Sequence, residues 1–130
     1  MTERRRKILV ADDEASIQEV LSIQLARLGY EVVLAGDGAE AVAAYESEKP
    51  DLILLDVMMP RLNGLDACVQ IRALEKKSGR RVPVLFLTAR DSTHDKISAA
   101  LSGGDEVVAK PVSLQELRER VESALKKAKP

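Results

Sequence analysis

Aromatic side chains are nearly absent from these 130 residues, which hold no Trp, two Tyr and one Phe. A core without rings must be filled by Val, Leu, Ile and Ala, the material of strands covered by helices. Cysteine is equally scarce. Cys68 alone excludes an internal disulfide and a multi-cysteine zinc site, and it fits a reducing compartment. Its spacing from Ala67 and Ile71 puts it on the apolar side of a predicted helix, as buried filler. Charge of one sign is missing as well: 20 basic and 21 acidic side chains leave a formal net charge of -1. Without an overall basic footprint, nucleic acid is not an expected direct partner. The short run Arg4, Arg5, Arg6, Lys7 reads as a solvated lead-in. Long apolar stretches are lacking too. None reaches the roughly 20 residues of a membrane span, and the basic start is not followed by a signal-peptide core. The expectation is a soluble, cytoplasmic protein with no membrane partner.

What is present is a rhythm. Apolar runs recur at Ile8 to Ala11, Val32 to Ala35, Leu52 to Leu55, Val84 to Leu87 and Val107 to Ala109. Each is too short for a helix, and continuous apolarity marks strands buried on both faces. Helical spacing lies between them. Ile17, Val20, Leu21, Leu25 and Leu28 form one stripe, stopped by Gly29, and Leu114, Leu117, Val121 and Leu125 form another. Strands alternating with helices predict an α/β fold, a doubly wound parallel sheet with helices on both sides. Ser113 and Glu116 are spaced as a capping box, and Ser92 with Asp95 repeats the pattern before Ile97. Pro50, Pro83 and Pro111 fall outside the helical interiors. With no linker, repeat or low-complexity segment, residues 1–130 read as one domain. Its core runs from about 7 to 126, before a Lys-rich tail, and nothing in this length is left over for an output domain.

Ligands of an open parallel sheet bind beyond the carboxyl ends of its strands, where the strand order reverses. Asp12 and Asp13 follow the first run, Asp56 ends the third, Thr88 ends the fourth, and Lys110 and Pro111 follow the fifth. Taken singly, an Asp after a strand is often a cap or turn former. Asp56 resists that reading, because Leu52-Ile53-Leu54-Leu55 draws it toward the interior, where an unpaired carboxylate is costly. Jointly, the strand ends bring three carboxylates, a hydroxyl and an ammonium to one edge. Clustered carboxylates repel unless a cation intervenes, and all-oxygen ligands favour Mg²⁺, with Mn²⁺ a possible substitute. Asp56 is the candidate nucleophile, since a carboxylate can attack phosphorus to form an aspartyl phosphate. Lys110 and Thr88 would stabilise the phosphoryl oxygens. His94 is not needed and reads as a surface residue.

The stretches Ile8-Leu9-Val10-Ala11-Asp12-Asp13-Glu14, Asp51 to Pro60, Asn63-Gly64, Leu87-Thr88-Ala89 and Ala109-Lys110-Pro111 together resemble the response-regulator receiver family of two-component signalling, to which the chemotaxis response regulator belongs. The resemblance covers about Lys7 to Lys126. It implies a flavodoxin-like sheet of five parallel strands in the order 2-1-3-4-5, flanked by five helices. It implies Asp56 as phosphoacceptor, and Asp13, Asp56 and the Met58 carbonyl as Mg²⁺ ligands, with Asp12 acting through water. Lys110 would grip the phosphoryl group, its bond to Pro111 would be cis, and Thr88 would move toward the phosphoryl oxygens. The donor would be a sensor histidine kinase or a histidine phosphotransfer protein. The output would pass to a downstream protein through the surface of helix 4, strand 5 and helix 5. Such a domain is no turnover enzyme: it catalyses only its own phosphorylation and dephosphorylation.

One departure stands out. Where the family usually carries a Tyr or Phe, three residues before Lys110, this chain has Val107; Val112 stands where Phe is common. The acceptor chemistry is complete while the usual readout is altered, which predicts weaker or differently routed coupling. Met58 and Arg90, each two positions beyond a site residue, would flank the mouth of the site. Both would obstruct an attacking water and slow self-dephosphorylation. Two rivals are a phosphorylation-independent pseudo-receiver that serves as an interaction module, and a haloacid-dehalogenase-type phosphatase. The first is disfavoured by the complete set of site residues. The second usually has an Asp two residues after its nucleophile, where this chain has Met58.

Overall fold

The five apolar runs are strands, each within a residue of its predicted bounds: β1 (Lys7–Ala11), β2 (Glu31–Ala35), β3 (Leu52–Asp56), β4 (Val84–Thr88) and β5 (Glu106–Ala109). The computed structural model describes residues 5–88, 93–110 and 112–128, with side chains omitted for 93–96 and 128. All pairings are parallel and the order is β2-β1-β3-β4-β5. Five helices connect and follow the strands: α1 (Ala15–Arg27), α2 (Gly38–Glu48), α3 (Gly64–Ser78), α4 (Thr93–Leu101) and α5 (Leu114–Ala128).

Continuous apolarity in the strands is explained by two cores, one on each face. Leu9, Ile53, Leu55, Val84 and Phe86 point to the side covered by α2, α3 and α4, where Ala41, Ala67, Cys68, Ile71 and Ala99 meet them. Ile8, Val10, Leu52, Leu54, Leu85 and Leu87 point to the other side, against Leu21 and Leu25 of α1 and Leu117 and Val121 of α5. Central strands β3 and β4 are buried at every residue, whereas the edge strand β2 is half open. Two predicted stripe positions are corrected. Val20 is about half exposed and Leu114 also faces solvent. Ile17, Leu21 and Leu25 already fill the inward line at four-residue spacing, which leaves Val20, one position from Leu21, turned some 100° away. Leu114 sits in the first turn of α5, ahead of the part that reaches the sheet.

The capping at Ser113 is real: its hydroxyl accepts from the Glu116 amide at 3.1 Å. Ser92 lies outside the described residues, as does the side chain of Asp95. Asp37 and Asn63 cap α2 and α3, accepting from the amides of Glu40 and Asp66, each at 2.8 Å. Two glycines permit close approaches near the edge where β1 and β3 end. A Cβ on Gly64 would overlap the Asp56 carbonyl, and one on Gly38 would overlap the Leu62 carbonyl. The strand order reverses between β1 and β3, so a crevice opens there at the carboxyl edge. At the opposite edge Arg72 ties α3 to the starts of β4 and β5. Its guanidinium donates to Glu75 at 2.8 Å, to the Val82 carbonyl at 2.7 Å, to Asp105 at 3.0 Å and to the Gly103 carbonyl at 2.9 Å.

Candidate functional site

Asp12, Asp13, Asp56, Thr88 and Lys110 all reach the carboxyl edge, whereas Val107 lies within β5. Asp12 and Asp13 leave β1, Asp56 and Thr88 are the last residues of β3 and β4, and Lys110 directly follows β5. Asp12 and Thr88 are buried, Asp56 is 5% exposed and Asp13 faces solvent. One carboxylate oxygen from each of Asp12, Asp13 and Asp56 lies within 4.8 Å of the others. Lys110 Nζ stands 3.0 Å from Asp12 Oδ2 and 3.6 Å from Asp56 Oδ1. The ammonium therefore bridges two of the three acids and leaves Asp13 to solvent.

Backbone contacts hold this arrangement. The Asp12 amide donates to the Ala35 carbonyl at 3.1 Å, and Gln18 Nε2 donates to the carbonyls of Asp12 and Ala35 at 2.5 and 3.2 Å. Asp12 Oδ1 accepts from the Glu14 amide at 3.0 Å, so the turn-forming role open to this residue coexists with its place in the cluster. The Lys110 amide donates to the Thr88 carbonyl at 2.7 Å, and the Val57 amide to the Leu87 carbonyl at 3.1 Å. Each acid or base thus sits within one residue of a sheet hydrogen bond, which limits how far it can drift.

The electrostatics are unbalanced. Burial, then the charge of Asp12, pushes the Asp56 carboxyl up to about 6; Lys110 and the Met58 amide pull the other way, and Asp13 adds a further push. Burial works against the Lys110 charge, but its hydrogen bond to Asp12 and the charge of Asp56 outweigh it, raising its pKa above the ordinary lysine value. Among the described residues, one ammonium against three carboxylates leaves a site that attracts a cation. The donor set fits a hard divalent ion. Oxygens on opposite sides of Mg²⁺ stand about 4 Å apart, so the acids need close only slightly around it. Asp12, Asp13 and Asp56 are the side chains that could hold it, and the resemblance adds the Met58 carbonyl to them.

Met58, two residues after Asp56, is 77% exposed. Val107 on β5 is partly buried and packs on the core beneath α3 and α4, while Val112 packs on the opposite core. Arg90, Pro111 and the Lys110–Pro111 bond geometry lie outside the described residues, as does the His94 side chain. Among the described residues no helix is long and apolar enough to cross a membrane. Reading the sequence alone missed Gln18, Asp37 and Arg61. Asp37-Gly38-Ala39-Glu40 carries a capping-box spacing that could have flagged the first turn of α2. The partner of Asp37 is Arg61, 24 positions away, and no local pattern marks it.

Residues 8–122 match the family described as response regulator receiver domain. The chain is 44% identical over 123 residues to the alkaline phosphatase synthesis transcriptional regulatory protein PhoP of Bacillus subtilis, covering 95% of this chain and 50% of that protein. It is 43% identical over 124 residues to the response regulator MprA of Mycobacterium avium, covering 95% and 53%. The chain therefore spans about half the length of these curated relatives. Among solved structures, the chemotaxis protein CheY4 of Vibrio cholerae superposes with a TM-score of 0.87 at 30% identity, covering 93% of this chain and 99% of that one. The receiver domain of the Francisella response regulator 1452 gives 0.83 at 34%, covering 96% and 100%.

Proposed function

The chain belongs to the response regulator receiver domain family, and on that premise we propose that it is a phosphorylation switch in which Asp56 accepts a phosphoryl group. The observation that carries this is the grouping of Asp12, Asp13 and Asp56 within 4.8 Å, with Lys110 between Asp12 and Asp56. An Asp56 oxygen attacks phosphorus in line; the bond from phosphorus to the donor nitrogen breaks, and its electron pair leaves with the donor imidazole. Lys110 meets the charge on the transferred oxygens, and the Thr88 hydroxyl donates to one of them. Bound Mg²⁺ supplies neutralising charge to the phosphoryl oxygens and removes the repulsion among the acids. The Met58 amide, hydrogen-bonded to Asp56, orients its carboxylate.

The donor is a sensor histidine kinase or a histidine phosphotransfer protein, in the cytoplasm, within a two-component system or phosphorelay. The receiving surface for a downstream protein is α4, β5 and α5. It exposes Ile97 and Leu101 on α4 and carries the ion pairs of Arg120 with Glu106 and Glu116. Val107 offers no ring to swing between exposed and buried positions, so transmission across this surface is weaker or takes another path. Met58, exposed at the mouth, together with Arg90, slows hydrolysis of the aspartyl phosphate. With a formal net charge of -1, this chain carries no overall basic footprint for direct nucleic-acid binding.

The test is to incubate the chain with Mg²⁺ and a small phosphodonor and to weigh it. One phosphoryl adduct, absent in Asp56→Asn, supports the switch. No adduct on the parent chain favours the interaction module, a reading to which Val107 lends weight. Multiple turnover of phosphate esters favours a phosphatase, a reading disfavoured by Met58 at the place of a second acid.

A further inference from the structure

The loop from β3 to α3 carries Met58, whose carbonyl is assigned to the cation, and it bends sharply at Arg61. There φ is 64°, and the Leu62 amide donates to the Pro60 carbonyl at 2.7 Å, closing a three-residue turn. Left-handed backbone is uncommon for a long side chain and persists where the surroundings over-determine it. Here those surroundings are the start of α2. The Gly38 amide donates to the Leu62 carbonyl at 2.9 Å, in space that any Cβ on Gly38 would fill. The Arg61 guanidinium, on a side chain 76% exposed, reaches back to Asp37, which is 2% exposed, with a nitrogen to oxygen distance of 2.5 Å. Asp37 uses its other oxygen to cap α2 through the Glu40 amide. Burying an acid for a cap alone is unnecessary, since Asn caps as well without charge. The charge has a use in holding Arg61.

We propose that Asp37 and Arg61 form a latch between α2 and the β3–α3 loop that sets where the Met58 carbonyl stands relative to Asp56. They are positioning residues for the cation site, an inference that rests on reading that site as a magnesium-dependent phosphoacceptor. The latch acts at a distance from the reacting atoms: it fixes the loop four residues after Met58 through Leu62, while the Val57 amide on the Leu87 carbonyl fixes it one residue before. With both ends held, the Met58 carbonyl is presented rather than searched for.

Two substitutions separate this role from fold stability. Asp37→Asn keeps the cap acceptor and removes the charge that holds Arg61. Arg61→Gly removes the arm but relieves the left-handed backbone, which offsets the loss of Asp37's partner, so its melting temperature and its Mg²⁺ affinity do not fall in step. Mg²⁺ titration followed by the amide signals of Val57, Met58 and Gly64 in NMR spectra reads the site without any turnover. In both variants Mg²⁺ affinity falls roughly tenfold, the low end of what residues behind metal ligands cost. The double variant is no weaker than either single one, and Arg61→Lys recovers most of the loss. Affinities within about twofold of the parent, or losses that multiply in the double variant, overturn the latch. So does a fall in melting temperature that tracks the loss of affinity in both variants, since that assigns the pair to stability. A parent chain that takes up neither Mg²⁺ nor phosphoryl overturns the reading of the site itself, and the latch with it; a parent that takes up both while the variants match it overturns the latch alone.

Discussion

The two edges of the sheet use the same kinds of residue to opposite ends. At the amino edge Arg72 and Arg81 face Glu75 and Asp105, two cations against two acids. Glu75 also accepts from the Val82 amide at 2.6 Å and Asp105 from the Val84 amide at 2.8 Å. At the carboxyl edge three acids face one ammonium, and the carboxyl of Asp56 is driven up to about 6. The first edge is electrically complete and locks α3, β4 and β5 together. The second is left short of positive charge, which a metal ion and a phosphoryl transfer can make use of. A switch needs both: a frame that does not yield and a site whose balance is altered by what binds it.

The largest effect comes from breaking the balanced edge. Arg72→Ala takes from buried Glu75 its ion-pair partner among the described residues and leaves it the Val82 amide. It should cost about 3 kcal/mol, as expected when one partner of a buried pair is removed. Chemical denaturation midpoints measure this, and a cost below about 1 kcal/mol would show that the pair behaves like a surface bridge.

Removing charge from the unbalanced edge should do the reverse. Asp56→Asn abolishes the adduct yet stabilises the metal-free chain at pH 7 by about 1–2 kcal/mol. That figure is what the shift of Asp56 implies once screening by nearby solvent is allowed for. The sign follows from linkage. The folded-state value of about 6 lies above the ordinary 3.8, so above pH 6 the folded state carries a charge that the unfolded state accommodates more easily. As pH falls from 7 through 6 toward 4, the folded state binds the proton first and this penalty disappears. Melting curves without Mg²⁺ should therefore show the parent gaining on Asp56→Asn as pH drops over that window. A constant difference would contradict the unbalanced edge.

How much of this contrast the chain discloses before folding depends on distance along it. The grouping at the carboxyl edge was legible because each of its parts ends or directly follows an apolar run, and a parallel sheet delivers all such ends to one edge. Asp12, Asp13, Asp56, Thr88 and Lys110 needed only that rule. The amino edge was not legible. Arg72 and Glu75 look like an ordinary helix-surface pair three residues apart, and Asp105 reads as part of a turn; only packing brings the three together and buries Glu75. Arg61 was hidden for a further reason, since a left-handed Arg leaves no compositional trace. Val20 and Leu114 misled because a stripe of apolar residues is wider than the line that touches the sheet.

Ligand linkage probes the unbalanced edge alone. Mg²⁺ at 100 times its dissociation constant should stabilise the parent by about 2.7 kcal/mol. In Asp13→Asn the gain at the same concentration should shrink to under half, since one assigned ligand has lost its charge. Arg72→Lys, at the other edge, should leave the gain unchanged even though the fold is weaker. Equal loss of the gain in both variants would mean that the edges are not separable.

The smallest effect concerns time rather than free energy of folding. The Met58 side chain is exposed beside Asp56 but takes no part in balancing charge, so Met58→Ala should leave stability and Mg²⁺ affinity almost unchanged. Met58→Asp with Arg90→Ala opens the mouth and supplies an acid near the path of an attacking water, which should shorten the lifetime of the aspartyl phosphate by about tenfold, a modest general-base contribution. Loss of the adduct, followed by mass spectrometry after removal of the phosphodonor, gives that lifetime directly. An unchanged lifetime would show that access of water is not limited by these side chains. The persistence of the phosphorylated state would then have to come from the charge balance itself: Lys110 and the bound cation, having replaced repulsion among the acids with attraction to the phosphoryl oxygens, would hold the group in place.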